Sequence, residues 1–594
     1  MKTKINRNYF WAETFIRELA SIGVKYACIS PGSRNTPLTL ALAYNKNIKS
    51  YVHIDERCSA FFALGLAKAS GTPVVVVSTS GTATAELYPA IIEAYQHRVP
   101  LIICTADRPP ELLDVGANQT INQNNLYKNH IRWFFDAGLP EPISRRIKHI
   151  KALAKRAVFE SYVRSRGPVH INFPFRKPFE PDAFTDEIDD EVFELSKLVL
   201  SEKKDLYKET EKDILVEKWF KEIASYLIKY EKGLIIAGPE IYNPIFHKAC
   251  QALAGLLNYP VLADGASQLR FGEHSKKNII SNFEGFLRAE KYAKKIQPDI
   301  IIQFGRTMIS KALDGYLEKC NSIRFIINEF GDWFDPSNRA NASFACKPYL
   351  FCKMMNDFLQ SKNFSRNSGN WLEKFRKADE ISFKVKNKLI TNSKFPNECR
   401  VIDEIVHLFP DNSQLMISNS MPIRDFDYFA SNTSKNITVY NNRGASGIDG
   451  ITSTALGITE ANKIPTVLLT GDSAFYYDIN ALLSAKKYSI PLVIILINNN
   501  GGGIFEVLPI SKYGKVFKEY FIAPHDLDFA PFVKAFGGTY KLTESWTDLR
   551  ESFCTALKSK NFSVIEIRTD AAKSLKLREN FWKEVEVSLS NSKV

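Results

Sequence analysis

The sequence predicts an α/β protein made of three doubly wound, mostly parallel-sheet domains. Three observations carry that expectation. Short continuous apolar runs recur along the chain, separated by stretches of helical spacing, as in parallel sheets covered on both faces. The chain has 594 residues, too many for one hydrophobic core. Two polar stretches, 182–194 and 361–395, interrupt the alternation and divide it into domains at 1–182, 205–360 and 396–580.

The first helix is announced by Trp11, Phe15, Leu19 and Ile22, with Gly23 as its C-cap. Strands are expected at Tyr26–Ser30, Tyr51–Ile54, Val74–Ser78, Leu101–Ala106 and Val169–Phe173. Pro174, Pro178 and Pro181 end this pattern, and the acidic, aperiodic Asp182–Glu194 reads as a linker. The second domain opens on a helix over Ile214–Tyr230, followed by strands at Leu234–Ala237, Val261–Ala263, Ile300–Phe304 and Ile323–Ile327. The charged, Ser/Asn-rich 361–395 reads as a separator. Strands of the third domain are expected at Leu415–Ser418, Thr438–Tyr440, Val467–Thr470, Leu492–Ile497 and Val564–Ile567, with a helix over Ala474–Ser489.

Hydrophobic residues make up 45% of the chain and charged residues 24%, which places it among globular proteins. The longest apolar runs fall far short of the ~20 residues of a membrane helix. Met1–Arg7 lacks the apolar core of a signal peptide. A soluble cytoplasmic protein is expected. The nine cysteines are scattered without a CxxC, which favours buried reduced thiols over a metal cluster or disulfide framework. The net charge of +13 is spread along the chain, and no nucleic-acid module accompanies it. A solvated basic surface is the reading that follows.

The most informative residues are Asp472 and Asn499. Gly471-Asp472-Ser473 follows one expected strand and Asn498-Asn499-Asn500-Gly501-Gly502-Gly503 follows the next. Both turns therefore fall at carboxyl ends of neighbouring parallel strands, where open α/β sheets bind ligands. A carboxylate and an amide oxygen there suit Mg²⁺, which takes about six oxygens and is commonly completed by ligand phosphates. The glycines allow backbone to approach a ligand closely. GD by itself is equally compatible with a polar loop closing a buried strand.

GDS followed by NNN after the 24 residues 474–497 resembles the cofactor-binding motif of thiamine diphosphate enzymes, usually GDG…NN. Ser473 stands in place of the third glycine, which is tolerable if its N–H faces the diphosphate. The resemblance narrows with Ile29-Ser30-Pro31-Gly32-Ser33-Arg34-Asn35-Thr36-Pro37-Leu38, His53-Ile54-Asp55-Glu56-Arg57, Thr79-Ser80-Gly81-Thr82-Ala83, Ala106-Asp107-Arg108-Pro109-Pro110-Glu111-Leu112 and Asn442 to Gly450. In this order they resemble the 2-succinyl-5-enolpyruvyl-6-hydroxy-3-cyclohexene-1-carboxylate synthases of menaquinone biosynthesis. The likeness covers most of the chain and is thin between about 180 and 400.

That resemblance implies three domains of the thiamine diphosphate-dependent decarboxylase type: pyrimidine-binding, central and diphosphate-binding. It implies a transferase using thiamine diphosphate and Mg²⁺ or Mn²⁺. The substrates would be 2-oxoglutarate, which loses CO₂, and isochorismate, which receives the succinyl semialdehyde carbanion by 1,4-addition. A homodimer or dimer of dimers with active sites between subunits is implied as well. Glu56 would be the catalytic carboxylate against the cofactor's pyrimidine ring; its position alone also fits a carboxylate at a helix N-terminus. Asp472, Asn499 and the Gly501 carbonyl would hold the metal. Thr79, Gly81, Ser420, Ile448, Gly471, Asp472, Ser473, Asn499, Ile504 and Phe505 would join Glu56 around the cofactor. Ser33, Arg34, Arg108, Gln119, Lys311, Arg424 and Arg443 would bind the dicarboxylic acids, since the planar guanidinium pairs bidentately with carboxylate. A related carboligase of the acetolactate synthase kind is the nearest rival. The arginine set and the Ser30–Arg34 and Ala106–Leu112 segments argue against it. A catalytically silent cofactor-binding protein is the rival of another class, and it would be free to lose Glu56, Asp472 and Asn499.

Overall fold

A computed structural model describes residues 2–198, 217–366, 369–391 and 393–592. Among them run three six-stranded sheets in which every strand pair is parallel. The strands expected from apolar runs are all present, with ends within two residues of the expected ones. Continuous apolar segments form buried strands because each face must be covered by helices.

The N-terminal sheet is ordered Lys49–Val52, Tyr26–Ile29, Val74–Ser78, Leu101–Asp107, Pro168–Pro174 and Trp133–Asp136. The chain first steps to one side of Tyr26–Ile29 and then to the other, so the topological switch lies between that strand and Val74–Ser78. The C-terminal sheet is ordered Ile437–Asn441, Ser413–Ile417, Thr466–Gly471, Val493–Asn498, Ser563–Arg568 and Thr539–Leu542. Its switch lies between Ser413–Ile417 and Thr466–Gly471. Ligand sites of doubly wound sheets open at such switches. The central sheet is ordered Ile279–Ile280, Val261–Ala263, Gly233–Ala237, Ile300–Phe304, Ile323–Asn328 and Ala342–Ala345. Its side chains alternate between two cores. Ile235, Ile300 and Ile302 pack into one, while Leu234, Ile236 and Ile301 join a core shared with Leu415, Leu469 and Ile495 of the C-terminal sheet.

Both expected linkers are structured instead. Within 182–194, Asp186–Asp189 pairs antiparallel with Lys2–Ile5, and Arg7 forms an ion pair with Asp186. Within 361–395, Trp371–Thr391 is a helix whose Trp371, Phe375, Ala378, Val385 and Ile390 enter the shared core. Glu373, Lys377, Glu380, Lys384 and Lys388 are exposed on the other face, so its charge content hid an amphipathic period. The expected helix Ala474–Ser489 is broken at Asp478 into Asp472–Tyr477, a 3-10 turn Ile479–Ala481, and Leu482–Tyr488. The break turns the Asp478 carboxylate inward, onto the Ser453 N–H at 2.6 Å. The helix expected from Ile214 is seen as Glu217–Lys229; its first three residues, and the domain start at 205, lie outside the described residues. Eight cysteines are buried and Cys554 is exposed, all of them free thiols. No helix among the described residues is long and apolar enough to cross a membrane.

Two compact units account for the chain. The first comprises 1–209, 442–463 and 474–492, the second 210–441, 464–473 and 493–594. Inside the first unit, helices Glu56–Ser70 and Ile451–Asn462 are buried along most of their lengths. They pack through glycines. A Cβ on Gly65 would lie 2.1 Å from the Thr454 carbonyl oxygen, and one on Gly457 2.2 Å from that of Phe62. Both obstacles are backbone and cannot rotate away. Gly65→Ala should therefore lower stability by about 1–3 kcal/mol, the usual cost of overpacking. Gly315→Ala, mid-helix with open space at its Cβ position, should be neutral or slightly stabilising. Denaturant midpoints of the two variants check the contrast.

Candidate active site

Four loops at the carboxyl edge of the N-terminal sheet carry most of the residues expected to act in the first unit. Ser33 and Arg34 follow the strand Tyr26–Ile29, and Glu56 follows Lys49–Val52. Thr79 and Gly81 follow Val74–Ser78, and Arg108 follows Leu101–Asp107. Gly32 lets the two loops at the switch meet, because a Cβ there would lie 2.4 Å from the Thr79 Cβ. Gly81 has φ +82°, a conformation glycine adopts freely. Its N–H is held by Gln123 Oε1 at 3.1 Å, and Gln119 Nε2 donates to the Ser80 carbonyl at 2.9 Å.

Ser33, Arg34, Thr79, Arg108 and Gln119 line one cavity of about 840 Å³. Arg34 and Arg108 are each only 8% exposed. Arg34 donates one bond to the Phe175 carbonyl (2.6 Å), and Arg108 one to the Asn118 carbonyl (2.6 Å). Arg34 Nε and one terminal nitrogen of Arg108 are buried without a hydrogen-bond partner. Burial, with Arg108 nearby, lowers Arg34 to about 10. Two half-desolvated guanidinium groups on one cavity favour an anionic ligand. Arg176 also lines the cavity, in a bidentate pair with Glu111 at 2.6 and 2.9 Å.

Glu56 is the first residue of the helix Glu56–Ser70. Asp55 caps that helix by accepting from the Cys58 N–H (3.1 Å). Burial raises the Glu56 carboxyl above its ordinary value, as suits a group that shares a proton. Beneath this turn, Asp478 accepts from Ser453 and Cys58 (3.4 Å to the thiol), and full burial pushes it up to about 6. Ile448 is half-buried and Arg443 lies on the same loop. Glu93 anchors that loop by accepting from the Gly444 and Ala445 N–H groups at 3.0 and 2.6 Å.

The second unit supplies the other residues. Asp472 stands at the end of Thr466–Gly471 and is 2% exposed. Its carboxylate accepts from the Gly501 N–H at 3.0 Å, and His525 Nε2 lies 3.4 Å away without hydrogen-bond geometry. The Ser473 N–H donates to Asp472 at 2.5 Å, the acceptor nearest in the chain. The three asparagines that end and follow the strand Val493–Asn498 behave differently. Asn498 donates to Glu566 and accepts from Asn500 N–H; Asn500 donates to Asp526 and accepts from the His525 and Asp526 N–H groups. Asn499 Nδ2 donates to Glu398 at 3.4 Å, but its Oδ1 is buried and unpartnered. An orphaned oxygen on the turn after the strand that neighbours the one leading to Asp472 fits a hard cation. Among the described residues no three His, Cys, Asp or Glu converge as metal ligands, so a cation here would need amide, carbonyl or phosphate oxygens as well.

Crowding inside the protein requires two of the glycines after Asn499. A Cβ on Gly501 (φ +131°) would lie 2.1 Å from the Ile522 carbonyl oxygen, and one on Gly503 2.6 Å from Asn499 Nδ2. Gly471 has open space at that position. Ile504 and Phe505 are half-buried on the 3-10 turn Gly503–Val507. Ser420 follows Ser413–Ile417 with a strained φ of +71°, and its carbonyl accepts from Arg424 at 2.5 Å. Lys311 opens the helix Lys311–Lys319; its side chain is 72% exposed and paired with Asp314 at 2.9 Å. Gln123, Glu93 and Glu398 escaped sequence reasoning, because each acts through a partner remote in the chain.

Comparison with known proteins adds to these observations. "Thiamine pyrophosphate enzyme, N-terminal TPP binding domain" matches residues 11–126, "Middle domain of thiamine pyrophosphate" 201–417, and "Thiamine pyrophosphate enzyme, C-terminal TPP binding domain" 428–567. The 2-succinyl-5-enolpyruvyl-6-hydroxy-3-cyclohexene-1-carboxylate synthase of Geobacillus kaustophilus is 39% identical over 575 residues, 97% of each chain. That of Haloarcula marismortui is 37% identical over 599 residues, 99% of this chain and 100% of the relative. In fold, the chain is similar to the thiamine diphosphate-dependent 4-hydroxybenzoylformate decarboxylase of Rhodococcus jostii RHA1. The TM-score is 0.70 at 15% identity, over 94% of this chain and 99% of the other.

The anchor of the Arg443–Ile448 loop makes a pH prediction. Burial alone would raise Glu93, but Lys68, His97 and the Ala445 N–H outweigh it and lower the carboxyl to about 2 from an ordinary 4.5. A depressed carboxyl contributes stability that is complete above its unfolded value and is lost as pH falls toward its folded value. The stability advantage of wild type over Glu93→Gln should therefore be full above about pH 5 and shrink between about pH 4.5 and pH 2. Urea midpoints of both proteins across that range provide the check.

Proposed function

Because the chain belongs to the 2-succinyl-5-enolpyruvyl-6-hydroxy-3-cyclohexene-1-carboxylate synthases, a family of thiamine pyrophosphate enzymes, we propose that it catalyses that synthesis. It is a transferase of menaquinone biosynthesis: 2-oxoglutarate is decarboxylated, the resulting succinyl semialdehyde carbanion adds 1,4 to isochorismate, and CO₂ is released. The observation that carries the reading is the pair of buried, partly unpaired guanidinium groups of Arg34 and Arg108 on one cavity. Both substrates are dicarboxylic acids, and a carboxylate answers the missing partners of each arginine.

When bound, thiamine diphosphate supplies the electron sink that loss of CO₂ from a 2-oxo acid requires. Glu56 holds a proton against a ring nitrogen of the cofactor, with its carboxyl raised by burial. Asp472, Asn499 and the Gly501 carbonyl hold Mg²⁺ or Mn²⁺ at the diphosphate end. Thr79, Gly81, Ser420, Ile448, Gly471, Ser473, Ile504 and Phe505 shape the rest of the cofactor site. Ser33, Gln119, Lys311, Arg424 and Arg443 join Arg34 and Arg108 in binding the acids; Lys311 would exchange its exposed partner Asp314 for a substrate carboxylate. The domain limits that go with this reading are 1–182, 205–360 and 396–580, in a cytoplasmic homodimer or dimer of dimers with active sites between subunits.

Three results test the proposal. Purified protein with 2-oxoglutarate, isochorismate, thiamine diphosphate and Mg²⁺ should consume isochorismate and give a product of the expected mass; turnover of 2-oxoglutarate with pyruvate-type acceptors instead would favour the related carboligases. Glu56→Gln should fold and bind cofactor yet lose most turnover, whereas Asp472→Ala should lose cofactor affinity by calorimetry, as wild type should in EDTA. Arg34→Ala and Arg108→Ala each leave a substrate carboxylate short of a charge-assisted bond, worth roughly 1.5–3 kcal/mol. Their kcat/KM should drop about 10- to 100-fold at unchanged cofactor affinity, and lysine should rescue each only in part.

A further inference from the structure

Asn499 is aimed by something, and the structure places that something on a distant segment. Glu398 is the first residue of the helix Glu398–Leu408, which Asn397 caps, and it is 4% exposed. Its Oε1 accepts from Asn499 Nδ2 (3.4 Å) and from Thr569 Oγ1 (2.7 Å). Its Oε2 accepts from Arg578 at 2.6 Å. Arg578 is itself 2% exposed and doubly bonded to Asp425, at 2.5 and 2.7 Å. Every hydrogen-bonding group around Glu398 is therefore a donor, and the carboxylate is pinned by a buried cation.

We propose that Glu398 is a positioning residue for cation binding: it fixes the Asn499 amide with Nδ2 inward and Oδ1 directed to the metal. The inference rests on the reading of Asp472 and Asn499 as cation ligands. The chemistry of the amide makes it one-sided. An ionised carboxylate only accepts, so it can face the NH₂ group of an asparagine and not its oxygen. Rotating the amide by half a turn would oppose two acceptors and leave the NH₂ facing the site. Gly503 keeps this orientation possible, since any Cβ there would strike Nδ2 at 2.6 Å. The neighbouring asparagines have both amide ends satisfied by fold contacts. Asn499 alone of the three combines a fixed nitrogen with an unpartnered, buried oxygen. Outer partners of this kind commonly tune metal affinity by 10- to 100-fold.

Glu398→Gln retains the shape and places an NH₂ where it can meet the Asn499 oxygen, turning that oxygen away from the metal. Arg578 keeps Asp425 as its counter-ion, so the fold should survive. The measurement is Mn²⁺ affinity in the presence of thiamine diphosphate, from the electron paramagnetic resonance signal of free Mn²⁺. The expected result is a loss of about 10- to 100-fold, with kcat recovered at saturating metal and an unchanged circular dichroism spectrum. Glu398→Asp retains the charge toward Arg578 but retracts from Asn499. It should also weaken Mn²⁺ binding, and it serves as the test if the glutamine variant does not fold. Wild-type Mn²⁺ affinity in either folded variant, or a loss of kcat that metal does not restore, would overturn the role of Glu398. If wild type itself binds thiamine diphosphate equally well with and without Mn²⁺, the fault lies with Asp472 and Asn499 as ligands, a separate outcome.

Discussion

A charge removed from water must find an opposite charge or a full set of hydrogen bonds, and the second unit is organised around that demand. Arg578, on the C-terminal helix Ala571–Asn591, is buried between Glu398 and Asp425. Its pairing draws together the start of one helix, the middle of another and the end of the chain. Breaking one partner would strand a charge in an apolar core, which costs far more than a surface ion pair contributes. Asp425 lies on the helix that Ser420 begins, and Glu398 contacts Asn499. The same constraint that closes the core therefore reaches the loops on either side of the Asp472 strand. Arg270 and Asp427, both buried, repeat the device between the central and C-terminal sheets at 2.8 Å.

The first unit solves the same problem with the signs exchanged. Glu93 is the buried charge, satisfied by Lys68, His97 and two backbone N–H groups of the Asn442–Gly450 loop. The anchored loop carries Arg443 and Ile448. Glycine packing of two buried helices supports it from below: Gly450 has φ +64°, and a Cβ there would meet the Phe61 ring at 1.9 Å. In both units most residues expected to touch ligand sit on loops or in the first turn of a helix, and buried charges and backbone crowding lie behind several of them. Loops held by a rigid scaffold are the common location of binding residues.

Parallel strands supply the remaining order. Because all six strands of each sheet run the same way, their carboxyl ends gather the loops on one edge. The loops bearing Ser33 and Thr79 flank the switch of the N-terminal sheet, and those bearing Ser420 and Asp472 flank the switch of the C-terminal sheet. The family relationship and the fold likeness agree with this arrangement. At the local departure from the motif, the Ser473 N–H donates to the Asp472 carboxylate.

The sequence by itself determined the fold class, nearly every strand, and the loops at which the candidate ligands stand. Apolar runs, strand-end glycines and an ordered series of motifs are local properties, and local properties survive in a one-dimensional pattern. It did not disclose the ribbon Lys2–Ile5 with Asp186–Asp189 or the core role of Trp371–Thr391, where charge masked an amphipathic period. The motif pointed to Asn499 among three adjacent asparagines but did not show why its oxygen is the open one. Asn498, Asn499 and Asn500 are chemically identical, and only the partners brought to them by folding distinguish them: Glu566, Glu398 and the segment at 525–526. The same holds for Arg34 and Arg108, whose unpaired nitrogens exist because tertiary packing removed water without supplying acceptors. Burial and long-range pairing are properties of residues far apart in the chain, so only the tertiary structure could decide them.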